Sequence, residues 1–320
     1  MGAINRLREG HAWRDVIEGE AGRRVRELTR RTPVVGGSSG VLVKAEGLQR
    51  TGSFKSRGAV AELATLGPDR EVVTASAGNH GLGVAYAAKA LGLRATVVVS
   101  ELSPDVKRRG IEALGARLEV HGTGYDEAEA RARELAEGDA VFVSGFADEH
   151  VMLGNGGTTA LELSEQVGGL GPGDLVVIPV GGGGLASGIG AVLAGSGARL
   201  VGVEPRANRA MHASFEADAA LTSYPEGGPT LAEGLEGAVA ERTYELCREA
   251  LEGIVLVEED RIRAAIARAY RELGLILEPS AAVSLAAVWD GLTAADGGRV
   301  VCIGTGSNVD PDLLDACLRG

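Results

Sequence analysis

Apolar positions along the chain follow two alternating patterns. Short β-branched runs, "EVVTAS", "RATVVVS", "ARLEVHG" and "AVFVSG", are separated by longer alanine-rich stretches, "NHGLGVAYAAKALG", "SPDVKRRGIEALG" and "YDEAEARARELAEG". The first kind has the composition of buried strands and the second that of helices. The same grammar returns with "DLVVIPV" before "GLASGIGAVLAG", "RLVGVEP" before "ANRAMHASFEA", and "RVVCIGTG" near the end. Strand then helix, repeated over short connections, predicts an α/β protein whose parallel sheets carry helices on both faces. Pro104 is expected in the first turn of a helix, and Gly92, Gly110 and Gly115 at helix ends. The segment from Ala217 to Glu241 is rich in turn residues and reads as a long loop of the ligand-facing kind.

Composition narrows the partners. At 320 residues the chain exceeds the usual size of one compact core, so two packed lobes are expected. A net charge of -12, with no long basic run, disfavours nucleic acid and anionic membranes and leaves a small-molecule ligand. Aromatic residues are too sparse, at 3%, for a base-stacking surface. Cys247, Cys302 and Cys317 show no CxxC spacing, which suits a reducing compartment and offers no metal framework. With no apolar signal core at the amino terminus, a cytoplasmic location is expected. The apolar stretch "LVVIPVGGGGLASGIGAVLAG" is too broken, by Pro179 and four glycines, to read as a membrane span.

Three short segments carry candidate chemistry, and each has a plainer reading. "VGGGGLASG" follows an apolar strand and opens a helix, so its backbone N–H groups can gather around a phosphate. Gly181, Gly183 and Ala186 also match G-x-G-x-x-A, with Glu204 about 20 residues on, so a dinucleotide-binding oxidoreductase is a rival. The plainer reading is close packing of helix on strand. "SAGNHG", from Ser76 to Gly81, is a second strand-to-helix turn that suits a carboxylate, or simply a capped helix. Lys55, in "TGSFKSRGA", is by default a solvated charge. Beside two anion-binding turns it gains a sharper reading: a desolvated lysine is a nucleophile for an aldehyde, and a phosphate-bearing aldehyde would be anchored by the glycine run. Pyridoxal 5'-phosphate has both groups.

In order, "TGSFKSRGA", "SAGNHG", "GGGGLASG", "EPSAA" and "GTGSN" resemble the motifs of the fold-type II pyridoxal-phosphate enzymes, in particular the threonine/serine dehydratase and serine racemase branch. The likeness runs from "RTPV" to Asn308. It implies a tryptophan synthase β-like fold, with residues 1–67 and 147–320 as a large cofactor-binding domain and 68–146 as a small domain closing over the substrate. It also implies a homodimer acting on an amino acid. Carried over residue by residue, Lys55 forms the internal Schiff base and serves as the base at Cα, and Phe54 sits against the cofactor ring. Asn79 resembles the partner of the ring hydroxyl. Ser76, Ala77, Gly78, Asn79 and His80 form the substrate carboxylate loop. Gly181, Gly182, Gly183, Gly184 and Leu185 match the phosphate cradle, Thr305 faces the pyridine nitrogen, and Glu278 belongs to the neighbouring wall.

A neutral hydroxyl at Thr305 makes the cofactor a weaker electron sink, which favours rapid loss of a β-substituent over transamination. The implied reaction is α,β-elimination from L-threonine, L-serine or a similar β-hydroxy amino acid. Lys55 removes the Cα proton, the hydroxyl leaves, and the aminoacrylate hydrolyses to a 2-oxo acid and ammonia. Several departures bear on this. Ala77 stands where racemases of the branch place a second serine, which disfavours racemisation. Glu204 is kept where relatives bind a divalent cation, but Ala210 stands at the place of the later aspartate, so no metal is expected. "GTGSN" replaces the commoner "SGGN", leaving threonine-synthase-like and β-replacement chemistry as alternatives. About a dozen residues follow Asn308, so the regulatory domain of the biosynthetic threonine dehydratases is not expected.

Overall fold

The computed structural model describes residues 2–37, 40–103, 105–225 and 227–319. Among the described residues ten strands form two sheets. The larger contains β1 (Val34–Gly36), β2 (Val41–Ala45), β7 (Leu175–Pro179), β8 (Arg199–Pro205), β9 (Gly253–Val257) and β10 (Val300–Gly304), in the order β1-β2-β10-β7-β8-β9. The smaller contains β3 (Glu71–Ala75), β4 (Arg94–Val99), β5 (Arg117–Val120) and β6 (Val141–Phe142), in the order β5-β4-β3-β6. Every pairing is parallel except the edge hairpin of β1 with β2. Parallel strands need both faces covered, and β7 is accordingly buried at all five positions, as its unbroken run "LVVIP" requires.

All seven strands read from the sequence are present. The pattern did not yield β1, β2 or β9. The first two flank the glycine- and serine-rich sequence "GGSSG", which masks their alternation. Gly92 ends its helix in the left-handed conformation (φ 72°), as expected. Gly110 does not end one: the helix Asp105–Ala113 runs through it, and a Cβ there would stand 3.3 Å from Leu82 Cδ2, so its smallness serves helix packing. Pro104 lies outside the described residues.

Topology decides where a site can form. β2, β10 and β7 are neighbours and run the same way, with Cys302 of β10 paired to both Val43 and Val177. Their carboxyl ends therefore deliver the segment leading to Lys55, the segment of Thr305, and the glycine run to one edge of the sheet, the usual ligand crevice of open α/β sheets. The helix Lys55–Leu63 then packs on the helix Asn79–Leu91 that follows β3, so closely that a Cβ on Gly83 would lie 3.0 Å from the Lys55 carbonyl. One hydrophobic cluster joins Ala59 and Val60 of the first helix to Val84 and Ala85 of the second and to Val97 of β4.

Candidate active site

Backbone hydrogen bonds tie the segments together before any side chain acts. Phe54 N donates to Thr305 O (3.1 Å), Glu278 N to Gly306 O (3.0 Å) and Ser307 N to Gly52 O (2.9 Å). Lys55 opens its helix beside this knot. Its Nζ donates to the carbonyl of Gly145 at 2.8 Å and stands 5.2 Å from the centre of the Phe54 ring. Burial pushes the Lys55 ammonium down to about 8, although the Glu278 carboxylate opposes the shift.

Glu278 caps the helix Pro279–Trp289 and is itself buried. Burial pushes its carboxyl up to about 7 against two hydrogen bonds from Asn79 Nδ2, at 2.8 and 3.0 Å. The other end of the Asn79 amide accepts from Asn308 Nδ2 at 2.7 Å, and Asn308 Nδ2 also reaches Thr51 O at 2.8 Å. The motifs of Lys55, Asn79, Glu278 and Asn308 thus meet in space, although up to 257 positions separate directly bonded partners.

The Ser76–His80 turn is bent onto itself, with Gly78 N donating to Ser76 Oγ at 3.1 Å. Among the described residues the N–H groups of Ala77, Asn79 and His80 have no protein acceptor, which leaves donors at a helix start for an anion. His80 is buried. Its Nε2 lies 3.2 Å from Val143 O, which can only accept, so Nε2 carries the proton and the unpartnered Nδ1 offers a lone pair. Burial, then the Lys55 charge, push the imidazolium down to about 3, so the ring is neutral.

The glycine run opens the helix Gly184–Leu193. Gly183 adopts φ 88°, and a Cβ on it would lie 2.7 Å from Met211 Cε; a Cβ on Gly182 would lie 2.7 Å from the Phe146 ring. Both the backbone conformation and the space demand glycine. Among the described residues the N–H groups of Gly182, Gly183, Gly184 and Leu185 have no protein acceptor. Phe146, which packs on this loop, follows the Gly145 that receives Lys55, so one short turn joins the two ends of the site. Neither residue is singled out by the sequence, where Gly145 closes the strand-like run "AVFVSG" and Phe146 follows it.

Glu204 has a different place. Its carboxylate accepts from Met211 N (2.9 Å) and His212 N (2.7 Å) at the start of the helix Ala210–Ala217. Both oxygens are committed to that helix, not turned towards a ribose, and burial still pushes the carboxyl up to about 8.

A buried-lysine nucleophile, unsatisfied amides on a glycine loop and a second anion-binding turn suit an aldehyde cofactor bearing a phosphate. A family model described as "Pyridoxal-phosphate dependent enzyme" matches residues 18–306, and the chain belongs to that family. It is 37% identical to a putative threonine dehydratase of Sinorhizobium fredii, over 88% of this chain and 85% of the other. It is 36% identical to the L-threonine ammonia-lyase of Thermotoga maritima, over 89% and 71% respectively. Among solved structures, maize serine racemase superimposes with a TM-score of 0.86 at 27% identity, over 99% of this chain and 97% of that one. The fold-type II likeness read from the motifs is thereby established, and the dinucleotide reading of the glycine run is set aside.

Proposed function

We propose that the protein is an ammonia-lyase that eliminates water from a β-hydroxy amino acid, L-threonine or L-serine, and that hydrolysis of the released enamine gives a 2-oxo acid and ammonia. The observation that carries this is the Lys55 amine, desolvated to about 8 and aimed by the Gly145 carbonyl, in a chain similar to proteins named threonine dehydratase and ammonia-lyase. Pyridoxal phosphate, when bound, supplies an aldehyde for that amine and an electron sink for the substrate carbanion. The free amides of Gly182, Gly183, Gly184 and Leu185 hold the phosphate, Asn79 and Thr305 hold the ring, and Phe54 packs beside it. The turn from Ser76 to His80 orients the substrate carboxylate. Lys55 takes the Cα proton, a role its lowered pKa favours near neutral pH.

In this reading residues 68–146 form a small lobe that closes over the substrate, against a large lobe of 1–67 and 147–320. The protein works as a cytoplasmic homodimer. Its three cysteines are unpaired and buried, in keeping with a reducing compartment. Among the described residues no helix is long and apolar enough to cross a membrane. The likeness to a serine racemase supports racemisation as the second reading. Against it, Ala77 offers no acid or base.

The test is the visible spectrum of the purified protein with L-threonine or L-serine, with 2-oxo acid, ammonia and substrate chirality measured in the same sample. A visible band that shifts with substrate and accompanies oxo-acid release supports the proposal. Conversion to the D-enantiomer without ammonia favours the racemase, and a colourless protein that pyridoxal phosphate cannot reconstitute overturns both.

A further inference from the structure

Away from the cleft, the amino-terminal helices meet the rest of the chain at a group of side chains that the proposed reaction does not use. His11 lies in the short helix His11–Trp13, Asp15 in the π-helical turn Arg14–Glu18, and His150 in the helix Glu149–Met152. One potential ligand atom from each lies within 4.8 Å of the others. The His11 and His150 rings are 5.9 Å apart, centre to centre, and tilted by 56°. We propose that His11, Asp15 and His150 bind a divalent transition ion of the zinc class, which clamps the amino-terminal helices to the helix Glu149–Met152, where His150 faces Glu62 at the far end of the helix that begins at Lys55.

Three details favour an ion over a simple charge pair. His150 Nε2 stands 3.3 Å from Asp15 Oδ2, yet it is buried and makes no hydrogen bond among the described residues. A protonated imidazole paired with the carboxylate would direct its N–H along that line. Two ligands sharing one tetrahedral zinc instead face each other without a proton between them, at about 3.3 Å for bonds of about 2.0 Å. Second, both partners are oriented from behind. Asp15 Oδ1 accepts from Ala21 N at 3.3 Å, and His150 Nδ1 faces Glu62 Oε2 at 3.8 Å, a short movement from the carboxylate–histidine–metal arrangement. Third, His11 and Asp15 are four residues apart on neighbouring turns and project to one side. Two imidazoles and one carboxylate suit zinc or a similar late first-row ion better than calcium or magnesium, which prefer all-oxygen sites.

The consequence is mechanical. Glu62 is seven residues from Lys55 on the same helix, about 10 Å along its axis. An ion at this site would tie the amino-terminal helices to that scaffold without touching the cleft.

The holoenzyme, stripped with EDTA and desalted, should be titrated with zinc chloride against a chromophoric chelator and, separately, with cobalt chloride while the visible d–d bands are followed. The expected result is one ion per chain and a Tm that rises with zinc. His150→Gln, Asp15→Asn and the exposed His11→Gln should each weaken binding at least about ten-fold and remove the Tm response. His11→Gln should keep its cofactor absorption and turnover. Should His150→Gln fail to fold, His11→Gln decides alone. A wild-type protein that takes up no stoichiometric zinc, or a His11→Gln protein that holds it as tightly as wild type, overturns the proposal.

Discussion

Two groups of buried charge lie on opposite sides of the helix Lys55–Leu63, and they are treated in opposite ways. Beneath it, the fully buried Arg57 donates to Glu46 (2.8 and 2.9 Å) and to Glu162 (2.8 and 2.7 Å). Lys44 reaches Glu162, Gln166 and the Thr32 carbonyl, each within 2.9 Å. Pairing overcomes burial here: the Arg57 guanidinium is raised and the Glu162 carboxyl lowered, so both stay charged, and only Lys44 is lowered by its own desolvation. In the cleft, Lys55 and Glu278 have polar neighbours but no full counter-charge, and burial drives each towards its neutral form. The first group is saturated and structural. The second retains an unmet demand, the condition in which a proton can be moved near neutral pH.

The largest effect should come from removing the cleft amine. With Lys55→Ala, turnover of threonine should fall by roughly 10²–10⁴-fold or more, measured as 2-oxo acid released, with loss of the visible band. Next is Arg57→Met, which leaves Glu46 and Glu162 buried without their partner. It should cost about 3–5 kcal/mol in urea unfolding, against a few tenths for an exposed arginine such as Arg23. An unchanged unfolding midpoint would erase the distinction between the two groups.

The cleft predicts the reverse sign. Lys55 titrates at about 8 in the folded chain against an ordinary 10.5, so the unfolded chain holds that proton more tightly. The cost is full below pH 8 and fades between pH 8 and 10.5. Lys55→Met should therefore stabilise the cofactor-free protein at pH 7, by up to about 3 kcal/mol, and progressively less as the pH rises. Glu278 is the mirror case: raised to about 7 from 4.5, it favours folding below pH 4.5, and that contribution is lost as the pH climbs through 7. Glu278→Gln should gain up to about 3 kcal/mol over wild type at pH 8 and almost nothing at pH 4.5. Destabilisation by either cleft substitution, measured on the cofactor-free protein at those pH values, would contradict the comparison.

The contrast also explains what could be read from the chain. Alternation of β-branched and alanine-rich runs gave the smaller sheet and three strands of the larger, because burial on two faces leaves a mark on every residue of β7 and on all but the first of β4. The motifs of Lys55, Asn79, the glycine run, Glu278 and Thr305 could be picked out because each needs special residues at one local turn. Lys44, Glu46, Arg57 and Glu162 could not. In "VLVKAEG" and "ALELSE" each charge reads as a solvated surface residue, since its partner lies up to 118 positions away. Gly145 was equally hidden, because it contributes a carbonyl, which every residue has. Glu204 was legible as a charge at the end of a strand but not as a cap for the helix that follows.

That carbonyl has its own consequence. Gly145 O is a neutral acceptor, and it can receive a hydrogen bond from Lys55 Nζ whether the amine carries two protons or three. A carboxylate in its place would grip the ammonium and resist its discharge. The backbone oxygen instead keeps the nitrogen at one address through a complete proton cycle, so aim and basicity are set by separate parts of the molecule and can be adjusted independently.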